Sequence, residues 1–533
     1  MIGAPKVGLV VGEERILPHD EVPTFYAQRD HAPAWFDAGA LSPQAEPLLS
    51  ELRAADQHGL NTQDYHLAAI AVLLAKVQGA APQDLLADSL SAAQLDVLLT
   101  HAFLLHAARL TSGQVDPNRL FPGEWQVQLR KADGVAVLGA ALASGQVGEA
   151  LRGLSPPQSG YAKLREVLGD YRRIAEQGGW PEVPDGPTLR RGESDPRVPL
   201  LRERLWISGD LKALPEEQGD LYDAETAAAV WRFQRRHGLS ADRVVGPKTL
   251  AELNRPVEER IRQIELNLER YRWLPKDLGR RHIRVNIADF TLQVIEAEQV
   301  VMRMPVVVGT HVRKTPVFSG RMTYLEFAPY WGVPPTILAK DKLPRLRKDP
   351  GYFDANHYEI LPWQGPPGAR IHPDDIDWRR VTARSFPGLL RQRPGPWNPL
   401  GQVKFMFPNE FDIYLHDTPD RHLFRQAQRT FSSGCIRIQR PADLAQYLLE
   451  DDPQWDCERL HLALNASEPQ RVMLRRPMPV HLLYFTAWVD AEGIVQFRRD
   501  LYERDAVLDL ALRKHQDASR LARLSPEGPT LGN

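Results

Sequence analysis

The chain has 533 residues, with 66 Lys plus Arg against 68 Asp plus Glu and a formal net charge of -2. At roughly 150 residues per domain it holds three or four domains, and its balanced charge excludes attachment to nucleic acid through phosphate electrostatics. Two cysteines, Cys435 and Cys457, exclude a disulfide framework and a Cys-rich zinc site.

Residues 1–190 read as a helical scaffold domain. Leu48, Leu49, Leu52 and Ala55 make one apolar stripe, and Leu95, Leu98, Leu99, Ala102, Leu105 and Leu110 make a longer one. Gly59 and Gly113 stand where C-terminal helix caps belong. The longest apolar run, 67–75, falls short of the roughly 18 residues a membrane span needs, so it reads as a core helix and no membrane span is expected. The first 20 residues lack a basic start followed by an apolar stretch, so no signal peptide is visible. Nothing in this segment clusters catalytic residue types.

Five prolines within 181–199 mark a linker. Residues 191–256 then make a compact unit of three short helices. Val198, Leu201 and Leu205 open the first. Asp223 is placed to cap the second, which carries Ala227, Val230, Phe233 and Gln234. Gly246-Pro247 precedes the third, with Leu250 and Leu253. The Phe-Gln pair and the Val245-Gly246-Pro247-x-Thr249-Leu250 ending resemble the peptidoglycan-binding module of bacterial wall enzymes.

Residues 257–510 form a further domain. It opens on an amphipathic helix over 257–273, with Ile261, Ile264, Leu268 and Tyr271 on one face. Alternation then takes over. Ile283, Val285 and Ile287 are followed by Leu292, Val294 and the run 305–308, which is strand patterning. Phe411, Ile413 and Leu415 alternate again and put Tyr414 and His416 on the opposite face. Residues 480–489 and 494–498 flank a hairpin turn at 490–493. The domain is therefore mainly β. Residues 329–402 interrupt it with 13 prolines and four tryptophans, and so aromatic an insert reads as a partly helical lid. The tail, 511–533, is expected to be partly disordered, chiefly beyond Ser519.

The chemistry concentrates at 416–437. His416 ends an apparent strand, and Cys435 sits in Ser432-Ser433-Gly434-Cys435-Ile436-Arg437. Gly434 permits a tight turn, and Pro441 suits the first turn of a following helix, so the sulfur lies in a bend. A thiol is mostly protonated at neutral pH, and its thiolate is the nucleophile. An adjacent imidazole takes the proton, and the ion pair so formed lowers the thiol pKa. Backbone N–H groups of the Ser433-Gly434-Cys435 turn are positioned to hold an oxyanion. The chemistry this implies is acyl transfer through a thioester, with no metal and no cofactor. The residues alone leave a second reading open, in which Cys435 is a small buried hydrophobe. Cys457, in a polar stretch with no histidine beside it, reads as non-catalytic.

The stretch from Ile413 to Arg437 resembles the active-site signature of the L,D-transpeptidases, the YkuD-like family of bacterial wall enzymes. That signature is a histidine, a spacer, then Ser/Thr-x-Gly-Cys with an apolar residue and Asn or Arg. The 414–419 run, the long spacer and the order of parts are most similar to the large YcbB-type subgroup. Further matching pieces are Phe25-Tyr26, Trp35, Thr315-Pro316, Tyr330-Trp331-x-Val333-Pro334, and Pro394-Gly395-Pro396 with Asn398 and Gly401. The resemblance implies a multidomain α+β chain. Its parts are a helical scaffold, a peptidoglycan-binding-like module and a mainly β, YkuD-like sandwich with a lid.

The activity implied is formation of 3→3 cross-links between peptidoglycan stems. Cys435 is the nucleophile and His416 the base, since Ser433 stands where smaller members carry a second histidine. Arg437 holds the turn or a substrate carboxylate, while Tyr414, Trp331 and Ser432 are candidate substrate contacts. Stem peptides and glycan are the implied partners, other wall-synthesis enzymes are further candidates, and the implied location is the periplasm or cell envelope. A carboxypeptidase or endopeptidase with the same pair, and a non-catalytic wall-binding protein, are the alternatives.

Overall fold

The structure, a computed structural model, describes residues 9–11, 14–16, 21–37, 40–79, 89–216, 219–349 and 351–524. The chain divides into two compact units, Met1–Asp277 with Phe485–Asn533, and Leu278–Tyr484.

In the first unit, helices α1 (Ala45–Arg53) and α2 (Ser89–Ser112) supply the expected stripes, with Leu48, Leu52, Leu99, Ala102 and Phe103 fully buried. Gly59 and Gly113 close helical turns at φ 67° and 85°, as their positions predict. By length and composition α2 is apolar enough to cross a membrane, which the sequence reading did not anticipate, yet 67% of its most apolar window is buried inside the unit. Its buried Asp96 shows why Tyr26 and Trp35 matter. The carboxylate accepts from the N–H of Ala34 at 2.9 Å and of Trp35 at 2.7 Å, and from the Tyr26 hydroxyl. A buried carboxylate is tolerated when its oxygens are so satisfied.

The small module has its three helices, α4 (Val198–Ile207), α5 (Ala224–Arg236) and α6 (Pro247–Leu253), following α3 (Ser159–Glu176). Asp223 caps α5 by accepting from Thr226 N–H at 2.8 Å. Gln234 is buried and stitches the following loop, accepting from Arg243 N–H and donating to Val244 O and Asp242. The proline-rich stretch before it does not behave as a free linker. Val183 and Leu189 are buried in the module's core, and Asn254 bonds both the N–H and the carbonyl of Val183. Prolines keep such a stretch irregular without keeping it solvated.

Helix α7 (Val257–Arg272) falls in the first unit rather than opening the second. Its apolar stripe is as expected, but its other faces are buried too. Glu269 pairs with Arg272 at 2.6 Å, Arg270 with Asp505, and Asn267 bonds Thr486. Asp505 and Thr486 lie beyond 484, which explains why 485–510 also leaves the span 257–510. The hairpin is confined to Ala487–Val489 and Val495–Phe497, and the run before it breaks at 484–486. A helix then covers Arg504–Leu524, past the Ser519 where disorder was expected; 525–533 lie outside the described residues.

The second unit is built on strands β1 (Arg281–Asn286), β2 (Thr291–Glu296), β3 (Gln299–Gly309), β4 (Val317–Phe327), β5 (Trp331–Gly332), β6 (Tyr358–Pro362), β7 (Gly388–Gln392), β8 (Val403–Met406), β9 (Leu415–His416), β10 (Thr430–Ser432), β11 (Ile436–Ile438) and β12 (Gln470–Leu483). The main sheet runs β8-β9-β11-β3-β2-β1-β12-β4, and β8 also pairs antiparallel with β4, so the path closes on itself. Closure leaves few unpaired strand edges. Two pairings in this ring are parallel, β9 with β11 and β12 with β1.

The 329–402 insert carries its own small sheet, β5-β7-β6, and its own core of Trp331, Leu346, Phe353, Ile360, Trp378 and Leu390. It is partly helical, as expected, and better ordered than its proline content implied. Its two ends are tied together by buried Asn398, whose Nδ2 donates to Pro329 O and Arg393 O, both at 3.0 Å.

Candidate active site

The register places the site. β9 pairs with β11 so that His416 lies opposite Arg437, and two steps back Tyr414 lies beside Cys435, with Ile436 N–H donating to Tyr414 O at 3.1 Å. On the other side Lys404 of β8 is opposite His416 and opposite Glu326 of β4. Alternation buries Leu415, Ile436, Ile438, Val403 and Phe405 in the core, which leaves Tyr414, His416, Cys435, Arg437 and Lys404 on the other face.

The Cys435 turn is a backbone device. Gly434 adopts φ 120°, a region open to glycine. Ser432 Oγ donates to Cys435 O and accepts from Gly434 N–H at 3.1 Å. Thr315, fully buried, donates to Gly434 O at 2.7 Å and accepts from Gly309 N–H at 2.9 Å. Ser432 and Gly434 are thus turn-formers. Because Gly434 N–H is taken up by Ser432, the oxyanion function expected of the whole turn narrows to the N–H groups of Ser433 and Cys435. Ser433 is exposed, and its hydroxyl accepts from Arg313 Nη1 at 2.9 Å.

Cys435 is partly exposed and Cys457 exposed, both as free thiols. The Cys435 S–H points to Asp412 O at 3.7 Å, and the Tyr414 hydroxyl is the side-chain partner of the sulfur. His416 is buried, with Nδ1 donating to Asp417 O. The sequence predicts a thiol–imidazole contact; here the two groups share a face without a hydrogen bond between them. They sit diagonally across β9 and β11, two register steps apart, and each is turned to a backbone carbonyl.

Their ionisation also differs from the expected ion pair. Burial pushes the Cys435 thiol up, and the Tyr414 backbone N–H, then the Tyr414 hydroxyl, then the Lys404 charge pull it down. Burial pushes His416 down to about 3, helped by the Arg437 and Lys404 cations and opposed by the Asp417 and Pro399 carbonyls. The resting pair is therefore a neutral thiol and a neutral imidazole. Nδ1 carries the imidazole proton, because a carbonyl can only accept, so Nε2 is the basic nitrogen.

Arg437 is committed to structure, bonding Asp420 at 2.7 Å and Thr418. Trp331 lies 8% exposed in the core of the insert, with the Lys342 ammonium 5.0 Å from its ring centroid, and Tyr414 stacks edge-on against His416 at 5.7 Å. Four neighbours escaped the sequence reading. Asp417 accepts from Gln402 N–H at 2.9 Å and pairs with Arg421 at 2.8 Å. Arg313 makes a two-pronged pair with Asp341 of the insert, at 2.8 and 3.2 Å, while also bonding Ser433. Lys404 places its ammonium 4.1 Å from the Tyr414 ring centroid. Of these, Asp417 stood within the 414–419 run without a role of its own, and Lys404 is legible only as the polar position between Val403 and Phe405.

Three family models match the chain. Residues 280–455 match the "L,D-transpeptidase catalytic domain" model, 194–253 the "Putative peptidoglycan binding domain" and 20–168 the "Scaffold domain". A curated protein of Haemophilus influenzae, described as a "Putative L,D-transpeptidase", is 34% identical over 249 residues; the match covers 47% of this chain and 49% of that one. The chain thus spans about half the length of that relative. Among solved structures, the L,D-transpeptidase of Xylanimonas cellulosilytica (residues 123–326) is 17% identical, covering 56% of this chain and all of that one at a TM-score of 0.18. The L,D-transpeptidase of Stackebrandtia nassauensis is 13% identical, covering 55% and 94% at a TM-score of 0.23. The chain carries an L,D-transpeptidase catalytic domain of the YkuD type, together with a peptidoglycan-binding domain and a helical scaffold domain.

Proposed function

We propose that this protein is a peptidoglycan L,D-transpeptidase that forms 3→3 cross-links through a Cys435 thioester. The observation that carries the reading is a free thiol on a partly exposed residue at a glycine-built turn, on the same sheet face as a buried, uncharged histidine whose Nδ1 is held by a backbone carbonyl. Substrate is drawn to the chain by the peptidoglycan-binding domain, and the substrate puts its work in the cell envelope.

In the first half-reaction Cys435 Sγ loses its proton to His416 Nε2 and attacks the carbonyl that follows the third stem residue. The carbon–nitrogen bond breaks, the terminal D-Ala leaves with the proton returned by His416, and a thioester remains. In the second half the side-chain amine of another stem attacks, His416 takes its proton, and Cys435 leaves as thiolate and is reprotonated. The neutral resting pair means that proton transfer accompanies substrate closure, when water is displaced and Cys435 turns from Asp412 toward the imidazole.

Tetrapeptide muropeptides incubated with the full chain test this. Cross-linked dimers are expected from wild type and none from Cys435→Ala. Tripeptide product alone means water resolves the thioester, a carboxypeptidase. No product at all, with binding to wall sacculi retained, means a wall-binding protein. A carbapenem is also expected to add its mass to Cys435, because its strained cyclic amide presents the same carbonyl to the sulfur.

A further inference from the structure

We propose that Lys404 is a positioning residue that sets the ionisation of Cys435, acting both directly and through Tyr414. Three observations place it there. Lys404 alternates out of the core on β8, between buried Val403 and Phe405, so its side chain emerges on the face that carries Cys435. Its ammonium stands 4.1 Å from the Tyr414 ring centroid, and the Tyr414 hydroxyl is the side-chain partner of the Cys435 sulfur. Among the described residues that ammonium makes no hydrogen bond and no ion pair, and the charges that favour it are its register neighbour Glu326 and then Cys435.

A lysine that is largely buried and not closely paired is costly to maintain, so its charge has to be matched elsewhere. Glu326 supplies the larger part of the match, and the thiolate of Cys435 the next. A cation on a ring face draws electron density from the phenol and makes its O–H a stronger donor. The donor in this case points to the sulfur. Ionisation of the thiol breaks the S–H bond and releases the proton to solvent or to His416, while the sulfur keeps the electron pair. The resulting anion then gains the Tyr414 hydrogen bond and the Lys404 field together.

Other charges facing the sulfur do not replace this arrangement. Asp412 precedes β9 and opposes the thiolate. Arg313 is engaged by Asp341 and Ser433, and Arg437 by Asp420. His416 is held uncharged. Glu326 and Arg471, paired in register on β4 and β12, act on Lys404 from the same sheet face, Glu326 favouring its charge and Arg471 opposing it. Lys404 is thus the cation left to the sulfur, although it also disfavours an imidazolium at His416. It lowers the cost of the thiolate and not that of the charged base.

The test is the pH dependence of Cys435 alkylation by iodoacetamide in the full chain, read by intact mass. The reading needs no substrate and stands or falls apart from the transpeptidase assignment. Lys404→Met is expected to move the midpoint of the rate profile up by about one pH unit, a roughly tenfold slower reaction at pH 7, with the plateau at high pH unchanged. Lys404→Arg is expected to restore the midpoint within a few tenths of a unit. In Tyr414→Phe the Lys404→Met shift is expected to shrink, since part of it travels through the phenol. A midpoint unmoved in Lys404→Met, with an unchanged melting temperature, overturns the proposal. So does a fall in rate that is equal at every pH, which is the signature of a lost shape and not of a lost charge.

Discussion

At Gly434 the backbone takes φ 120°, and a Cβ there would meet Ile413 Cδ1 at 3.2 Å. Gly434→Ala is therefore expected to cost about 1–3 kcal/mol of stability and to reduce acylation of Cys435 by more than tenfold, read by denaturant melts and intact mass. Thr315 supports the same turn from behind. Thr315→Val keeps the volume but strands Gly434 O and Gly309 N–H, so a loss of about 1–3 kcal/mol is expected in the melting of the second unit. These roles differ in how far the sequence disclosed them. A Ser-x-Gly-Cys run announces a turn, because glycine beside a cysteine has few other uses. The Cys435 rotamer and the direction of the His416 ring are set by Asp412 and Asp417 carbonyls, and backbone carbonyls leave no trace in residue types.

The insert over 329–402 is connected to the Cys435 turn by Arg313, which binds Asp341 and Ser433 with one guanidinium. That pairing holds Arg313 above and Asp341 below their ordinary values, chiefly through the hydrogen bonds they share. Arg313→Met is expected to raise hydrogen exchange in 338–348 by more than threefold while changing global stability by less than about 1 kcal/mol, because the pair is partly exposed. Unchanged exchange there would mean that the insert is held by its core alone. Strand patterning disclosed the β elements well, since Ile283, Val285 and Leu415 each alternate into a core. It did not disclose that β8 pairs with both β9 and β4. Ring closure depends on contacts far apart in sequence, and period-two patterning looks the same in an open sheet. The Arg313–Asp341 pair was hidden for the same reason.

Across the whole molecule, several histidines are buried without charge. Burial pushes His58 down to about 2, His106 to about 3 and His416 to about 3, each aided by nearby arginines. Their folded values lie below the ordinary 6.5, so the stability they hold is complete above pH 6.5 and is lost as pH falls toward 3. The unfolded chain takes up protons that the folded chain refuses, at about 1.4 kcal/mol per pH unit for each group. The first unit, with His58 and His106, is expected to melt roughly 5 °C or more lower at pH 5 than at pH 7, and His106→Gln is expected to flatten that dependence. Calorimetry on the full chain reads both. The sequence separated scaffold, wall-binding module and catalytic domain by texture. It misplaced α7 and 485–510 because an amphipathic stripe does not say which partner it meets. The buried polar groups of α7 that reach outside it, Arg270 to Asp505, Arg272 to His58 O and Asn267 to Thr486, go with its place in the first unit.

The identity of the acylated atom tests the account most directly. The full chain is quenched in acid during turnover of a tetrapeptide muropeptide, digested, and mapped by mass spectrometry. An acyl mass less D-Ala on Cys435, labile to hydroxylamine and missing from Cys435→Ala, is the predicted result. Cross-linked product formed with Cys435 unmodified, or formed by Cys435→Ala, would contradict it.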